Sequence, residues 1–231
     1  MLLQLMGVAG SGKSFSLKNL NPNETVIIDT DMKGLSWSGW RADYSKEKKN
    51  YIAESNIDKI KSYMLSISKN MPHVKIMVVD TINTILTDYL FAERKKTSFD
   101  KWKAISDEAY GLYEFVRNQI PEDVIVIIMA HTENYKIVNA DYVEETHTRV
   151  LYPGSATTKS NLNKFLQYSL MTEYHGEEPN VGDRYKIRTQ TNGRDEVRSM
   201  FGVLPNLMPN DLSEVIRLIR EKDLMIPTTT A

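Results

Sequence analysis

Apolar positions in this sequence fall into short unbroken runs, separated by stretches with helical spacing. Leu2, Leu3, Leu5 and Met6 form the first run, which reads as a buried strand entering a glycine-rich turn. Residues 13–20 predict a helix, closed by the turn-formers Asn21, Pro22 and Asn23. Residues 25–29 are β-branched and apolar, the composition of a strand covered on both faces. An irregular stretch, 30–44, carries Gly34, Trp37, Gly39 and Trp40. Helical spacing resumes with Ile57, Ile60, Tyr63, Met64 and Ile67 and stops at Pro72. Residues 74–80 predict another strand, ending in Asp80. Ile82, Ile85, Leu86, Tyr89 and Leu90 then make a helical stripe, followed by a helix over 100–118. The most hydrophobic strand, 124–130, runs into His131.

Beyond His131 the period shifts toward two, giving strands near 135–138, 142–150, 166–174 and 184–191, with a helix over 155–165 between them. A last helix starts at Asn210 or Asp211. Asp211 and Glu214 have capping-box spacing there, and Leu212, Val215, Ile216 and Ile219 form the apolar face. Residues beyond Lys222 read as a frayed tail. Strands alternating with helices up to residue 131 predict an α/β fold with a mostly parallel sheet covered on both faces. We expect one domain over 1–222: a core over 1–131, a β-rich antiparallel extension over 132–222, and a tail over 223–231. There is no internal repeat and no low-complexity linker.

A chain of 231 residues, 41% hydrophobic, is long enough for one sizeable core. No stretch approaches the ~20 apolar residues of a membrane span, so a soluble, cytoplasmic protein is expected. The absence of cysteine removes disulfides, zinc ribbons and thiol nucleophiles. With 29 basic against 30 acidic residues, nucleic-acid binding would need a local patch.

Gly7-Val8-Ala9-Gly10-Ser11-Gly12-Lys13-Ser14 fits the phosphate-loop pattern at every specified position. Glycines let successive backbone N–H groups turn inward around a β-phosphate, and a following helix points its positive end at the same charge. Lys13 would reach the β- and γ-phosphates, and Phe15 completes the nucleotide-contacting set. Ser14 would ligate Mg²⁺, with Asp80 as its partner at the end of a buried strand. Asp80 could instead only cap the following helix. The strand ending in Asp29 lies between loop and Asp80 in sequence, which marks the additional-strand division of such proteins. No Asn-Lys-x-Asp guanine motif is present, so ATP is expected over GTP.

This order of motifs resembles the RecA/KaiC-like ATPases, most closely the short phage-encoded RecA-like proteins that assist single-strand annealing in recombination. Besides the loop, the resemblance is carried by 26–31 (VIIDTD), 77–81 (MVVDT), 127–131 (IIMAH), 198–202 (RSMFG) and 209–211 (PND). It implies ATP hydrolysis with Mg²⁺, single-stranded DNA as a partner, a homo-oligomeric ring or filament, and contact with single-strand-binding or replication proteins in a host cytoplasm. Asp31 stands where the family places the acid that polarises the attacking water. The usual residue is glutamate, one methylene longer, and an ordinary loop acid is the alternative. His131 stands at the γ-phosphate sensor position, with Thr81 and Glu133 as nearby polar candidates.

Arg184, Lys186 and Arg188 alternate onto one face of their strand. They could contact DNA phosphates, supply a finger to a neighbour's ATP, or form a solvated face. Arg198, ahead of Arg194, is the preferred finger. Trp37 and Trp40, beside Lys33 and Arg41, could stack bases or fill the core. A helicase or helicase-accessory motor, and a KaiC-like regulatory ATPase acting on protein partners, are the competing functions.

Overall fold

The computed structural model describes residues 1–95 and 98–225, so most of the expected tail, 226–231, lies outside the described residues. β1 (Leu2–Gly7) leads into the glycine-rich loop and a 3₁₀ turn, Ser14–Leu17. β2 (Thr25–Asp29) is followed by α1 (Trp40–Asp43) and β3 (Tyr51–Ala53). Next come α2 (Ile57–Asn70), β4 (Ile76–Asp80), α3 (Ile82–Ala92) and α4 (Ser98–Gln119). Asn56 caps α2 by accepting the Lys59 N–H at 3.1 Å, which spares the first turn one orphan donor. β5 (Ile125–Val138) and β6 (Glu144–Val150) form a hairpin, and α5 (Ser155–Lys159) follows. β7 (Tyr168–Tyr174), β8 (Tyr185–Arg188), β9 (Leu207–Pro209) and α6 (Leu212–Lys222) complete the order.

The strands form one nine-stranded sheet in the order β3-β2-β4-β5-β1-β7-β8-β9, with β6 on the far half of β5. Pairing is parallel from β3 through β7 and antiparallel across β7-β8-β9. The protein is therefore an α/β fold with a largely parallel sheet and a small antiparallel C-terminal cluster, as the alternating pattern predicts. β5 lies between β1 and β4, the arrangement of the additional-strand division.

Alternation along each strand sorts the core onto two faces. Leu2, Met6, Val26, Ile28, Met77, Val79 and Ile128 pack beneath α2, α3 and α4. Leu3, Leu5, Ile27, Val78, Ile127 and Met129 pack beneath α6, Leu17 and the aromatic cluster of Trp37, Trp40 and Tyr44. One polar exception is Gln4, fully buried on the α4 face, where its Oε1 accepts the Tyr113 hydroxyl at 2.9 Å. Among the described residues no helix is long and apolar enough to cross a membrane.

Several expected elements are changed. The helix over 13–20 is only the 3₁₀ turn, because Ser16 Oγ bonds back to the Lys13 carbonyl at 2.6 Å and Asn19, Asn21 and Pro22 favour turns. The separate strands expected at 124–130 and 135–138 are one continuous β5. The helix over 155–165 is broken at Asn161, whose φ of 51° ends α5 before a 3₁₀ turn, Leu162–Phe165. Asp211 caps α6 through the Ser213 N–H, but Glu214 pairs with Arg217 rather than closing a capping box. The pattern missed α1, β3 and β9, all very short.

Candidate nucleotide site

β1 ends at Gly7 in register with His131 of β5, so the loop starts beside the histidine. A Cβ at Gly7 would lie 2.3 Å from Thr172 Oγ1 and 2.5 Å from Ser11 Oγ, so only glycine fits. Gly12 has a φ of 95°, and Asn210 Nδ2 donates to its carbonyl at 2.9 Å. Ser11 Oγ lies 2.6 Å from Thr172 Oγ1 and donates to the Val8 carbonyl at 2.8 Å. The loop is thus held from β7 on one side and from the β9–α6 junction on the other. Gly7→Ala is expected to displace this clamp, losing thermal stabilisation by Mg·ATP; unchanged stabilisation would show that the loop tolerates the methyl.

Lys13 Nζ donates to the carbonyls of Gly7 at 2.8 Å and Val8 at 2.9 Å, and lies 3.3 Å from His131 Nδ1. Burial pushes the ammonium down to about 8, against the opposing pull of Asp80. An ammonium has three donors and no acceptor, so Nδ1 accepts here and the histidine proton belongs on Nε2. Burial and the Lys13 charge both lower the His131 pKa from its ordinary value, which keeps the ring neutral. Its backbone N–H is fixed by Asn83 Oδ1 at 2.7 Å. Ser14 Oγ donates to Asp80 Oδ2 at 2.6 Å, and burial raises the Asp80 pKa despite that bond. Because the loop is followed by a single 3₁₀ turn, the helix dipole there is smaller than that of a full helix, and an anion in the loop would depend more on Lys13 and the loop N–H groups.

Asp29 and Asp80 are register partners across β2 and β4. Thr30 Oγ1 ties the two strand ends together, accepting the Thr81 N–H at 2.6 Å and donating to the Thr81 carbonyl at 2.9 Å. Asp29 itself is structural: its carboxylate accepts from Met32 N, Gly34 N and the Tyr51 hydroxyl at 3.0, 2.7 and 2.6 Å. The loop it shapes holds Asp31, which bonds Thr84 Oγ1 and Lys33 Nζ. Burial acts to raise the Asp31 pKa, but these bonds hold the carboxyl below its ordinary value. The Asp31 charge acts on both Lys13 and His131. On the opposite side of the loop, Tyr174 and Tyr185 pack with ring centroids 5.1 Å apart, Tyr185 beside Gly12.

The structure thus brings together the loop, Lys13, Ser14, Asp80, Asp31 and His131, and leaves other candidates elsewhere. Arg198 bridges to Ser169, level with Gln4 in mid-β1, and its guanidinium bonds the carbonyls of Asn163 and Leu166, the latter at 2.6 Å. Arg188 is held by Glu173 at 2.5 Å and by the buried Asp195 at 2.7 Å. Lys186 faces Asp183 at 3.9 Å, and Arg184 Nε donates to the Glu178 carbonyl at 2.8 Å. Glu133 pairs with Arg149. Trp37 and Trp40 are buried in the core, with the Arg41 guanidinium 4.5 Å over the Trp40 ring, so neither is a free stacking surface. Thr172, Asn83, Asn210 and Lys33 were not singled out by sequence as site residues. Asn210 carried a signal, since it sits inside the Pro209-Asn210-Asp211 segment of the resemblance, and Lys33 was named only as a cation flanking Trp37 and Trp40.

Fold and loop together have the architecture of a RecA-like P-loop protein. The solved structure of a KaiC-like protein from the hyperthermophilic archaeon Pyrococcus horikoshii OT3 is similar at 14% identity, with a TM-score of 0.49, over 90% of this chain and 88% of that chain. No protein-family model and no curated protein matches this sequence.

Proposed function

We propose that this protein binds Mg·ATP in the loop from Gly7 to Ser14 and hydrolyses it, working as one domain over 1–222. One contact carries this proposal: Ser14 Oγ, from the turn that follows β1 and its loop, meets Asp80 Oδ2 of β4 at 2.6 Å although β5 separates the two strands. A hydroxyl and a carboxylate so joined beside a buried lysine suit a magnesium triphosphate, and Ser14 and Asp80 would hold the metal. When bound, Mg²⁺ neutralises charge on the phosphate oxygens. Lys13 exchanges its loop carbonyls for phosphate oxygens. Asp31 accepts the proton of a water that attacks the γ-phosphorus, the bond to the β-phosphate oxygen breaks, and ADP and phosphate leave. Neutral His131 can donate from Nε2 to the γ-phosphate or to that water. With these groups on the β2–β4–β5 side, the nucleoside leaves across Gly12 toward Tyr174 and Tyr185.

The cations offered for single-stranded DNA, Arg184, Lys186 and Arg188, are engaged within the chain. This favours a regulatory ATPase of KaiC-like type over a recombination, annealing or helicase protein. ATP turnover measured with Mg²⁺, with and without single-stranded DNA, tests both parts. Turnover indifferent to DNA is expected. Acceleration by DNA would restore the recombination and motor readings, and no turnover under any condition would remove the ATPase itself.

A further inference from the structure

The loop beyond β2 presents a second lysine toward the phosphate site. Its shape is set by the Asp29 carboxylate, which accepts the N–H groups of Met32 and Gly34 while the Tyr51 hydroxyl fixes one of its oxygens. Met32 and Gly34 have φ values of 56° and 86°, and Lys33 lies between them, so the backbone that carries it is pinned on both sides. The side chain itself is 63% exposed. Its ammonium rests on Asp31, whose other oxygen accepts the Thr84 hydroxyl. Thr84 follows Asn83, whose Oδ1 holds the His131 N–H beside Lys13, so Lys33 and Asp31 sit at the same end of the sheet as these two residues.

We propose that Lys33 is a γ-phosphate ligand supplied by the same subunit, parked on Asp31 until a triphosphate arrives. This rests on the ATPase reading above. A γ-phosphate brings more negative charge than one carboxylate and can accept the ammonium with several oxygens, so Lys33 transfers to it. The transfer does two things at once. It adds a cation where charge develops during phosphoryl transfer, whereas Arg184, Arg188 and Arg198 are each engaged elsewhere in the chain. It also frees the Asp31 oxygen that must accept the water proton, so the base becomes available only when its substrate is present. With ADP, nothing draws Lys33 away and Asp31 stays engaged. The competing role is an ordinary exposed ion pair that only tidies the loop.

The two roles separate on the γ-phosphate. Affinities for ADP and for the β,γ-imido analogue of ATP, both with Mg²⁺, are to be compared in the wild type, Lys33→Ala and Lys33→Arg, with single-turnover hydrolysis of ATP alongside. Lys33→Ala should weaken the triphosphate by about tenfold or more, the scale of one charge-assisted hydrogen bond, while ADP affinity stays within about twofold. Lys33→Arg should recover most of the difference, and hydrolysis should slow in Lys33→Ala. Equal losses for both nucleotides, no loss for either, or faster hydrolysis in Lys33→Ala would overturn the proposal and leave the ion pair as a restraint on Asp31. A wild-type protein that binds neither nucleotide would overturn the ATPase reading and this one with it.

Discussion

Lys13→Ala is expected to reduce Mg·ATP affinity by on the order of 10²-fold and to remove turnover, because the loop then lacks its own cation against several phosphate charges. The fold should survive, since the ammonium is buried by the loop it bonds and not by the apolar core. A pH series gives the same residue a sharper test. In the free protein burial lowers Lys13 to about 8, so above that pH a growing share of the protein carries a neutral amine. Bound phosphate favours the ammonium and raises its pKa, so binding at alkaline pH takes up a proton. Affinity therefore falls as pH rises above about 8, by up to about tenfold per unit. Isothermal titration in buffers of different ionisation enthalpy would register that uptake, and Lys13→Ala should show none of it. Wild-type affinity and turnover in Lys13→Ala would end the assignment of the loop.

How much of this was legible in the sequence depends on where the information lay. Buried parallel strands are the clearest case: β1, β2, β4 and the first half of β5 are apolar runs because helices cover both of their faces, and their ends carry Gly7, Asp29, Asp80 and His131. The glycine-rich turn after β1 was legible for a similar reason, since its glycines answer to local backbone needs, as the close approach at Gly7 and the positive φ at Gly12 illustrate. Sequence failed where the deciding partner is distant. Arg188 reads as a surface cation on an alternating strand, but Glu173 across the ladder and Asp195 beyond the strand claim it. Arg198 reads as a finger, yet the carbonyls of Asn163 and Leu166 hold it in its own subunit. Trp37 and Trp40 sit in a segment without periodicity, which concealed that they close the core beside Tyr44 and Tyr51. The same applies to Thr172 and Asn210, which clamp the loop from more than 150 residues away.

Asp31→Asn is expected to leave Mg·ATP binding intact and to slow hydrolysis by ~10²-fold or more, the scale of a positioned general base. Asparagine keeps the shape and can still accept from Thr84, so the loop should not collapse, and Asp29 rather than Asp31 holds its turns. The substitution also removes a negative charge facing the γ-phosphate and releases Lys33. Triphosphate affinity should therefore hold or rise while the rate falls, an opposition that simple damage to the site would not produce. The pH profile adds a second signature. Hydrogen bonds from Lys33 and Thr84 outweigh burial and hold the Asp31 carboxyl below its ordinary value, so the base is ionised throughout the neutral range. Wild-type kcat/KM, which reports the free protein, should then show an acid limb only below the usual carboxylate range, and Asp31→Asn should lack that limb. Asp31→Glu, which restores the longer reach of the residue more usual at this position, should retain activity. If Asp31→Asn turns over ATP at the wild-type rate, Asp31 is a turn-stabilising acid that anchors Lys33, and the attacking water must be activated by another group.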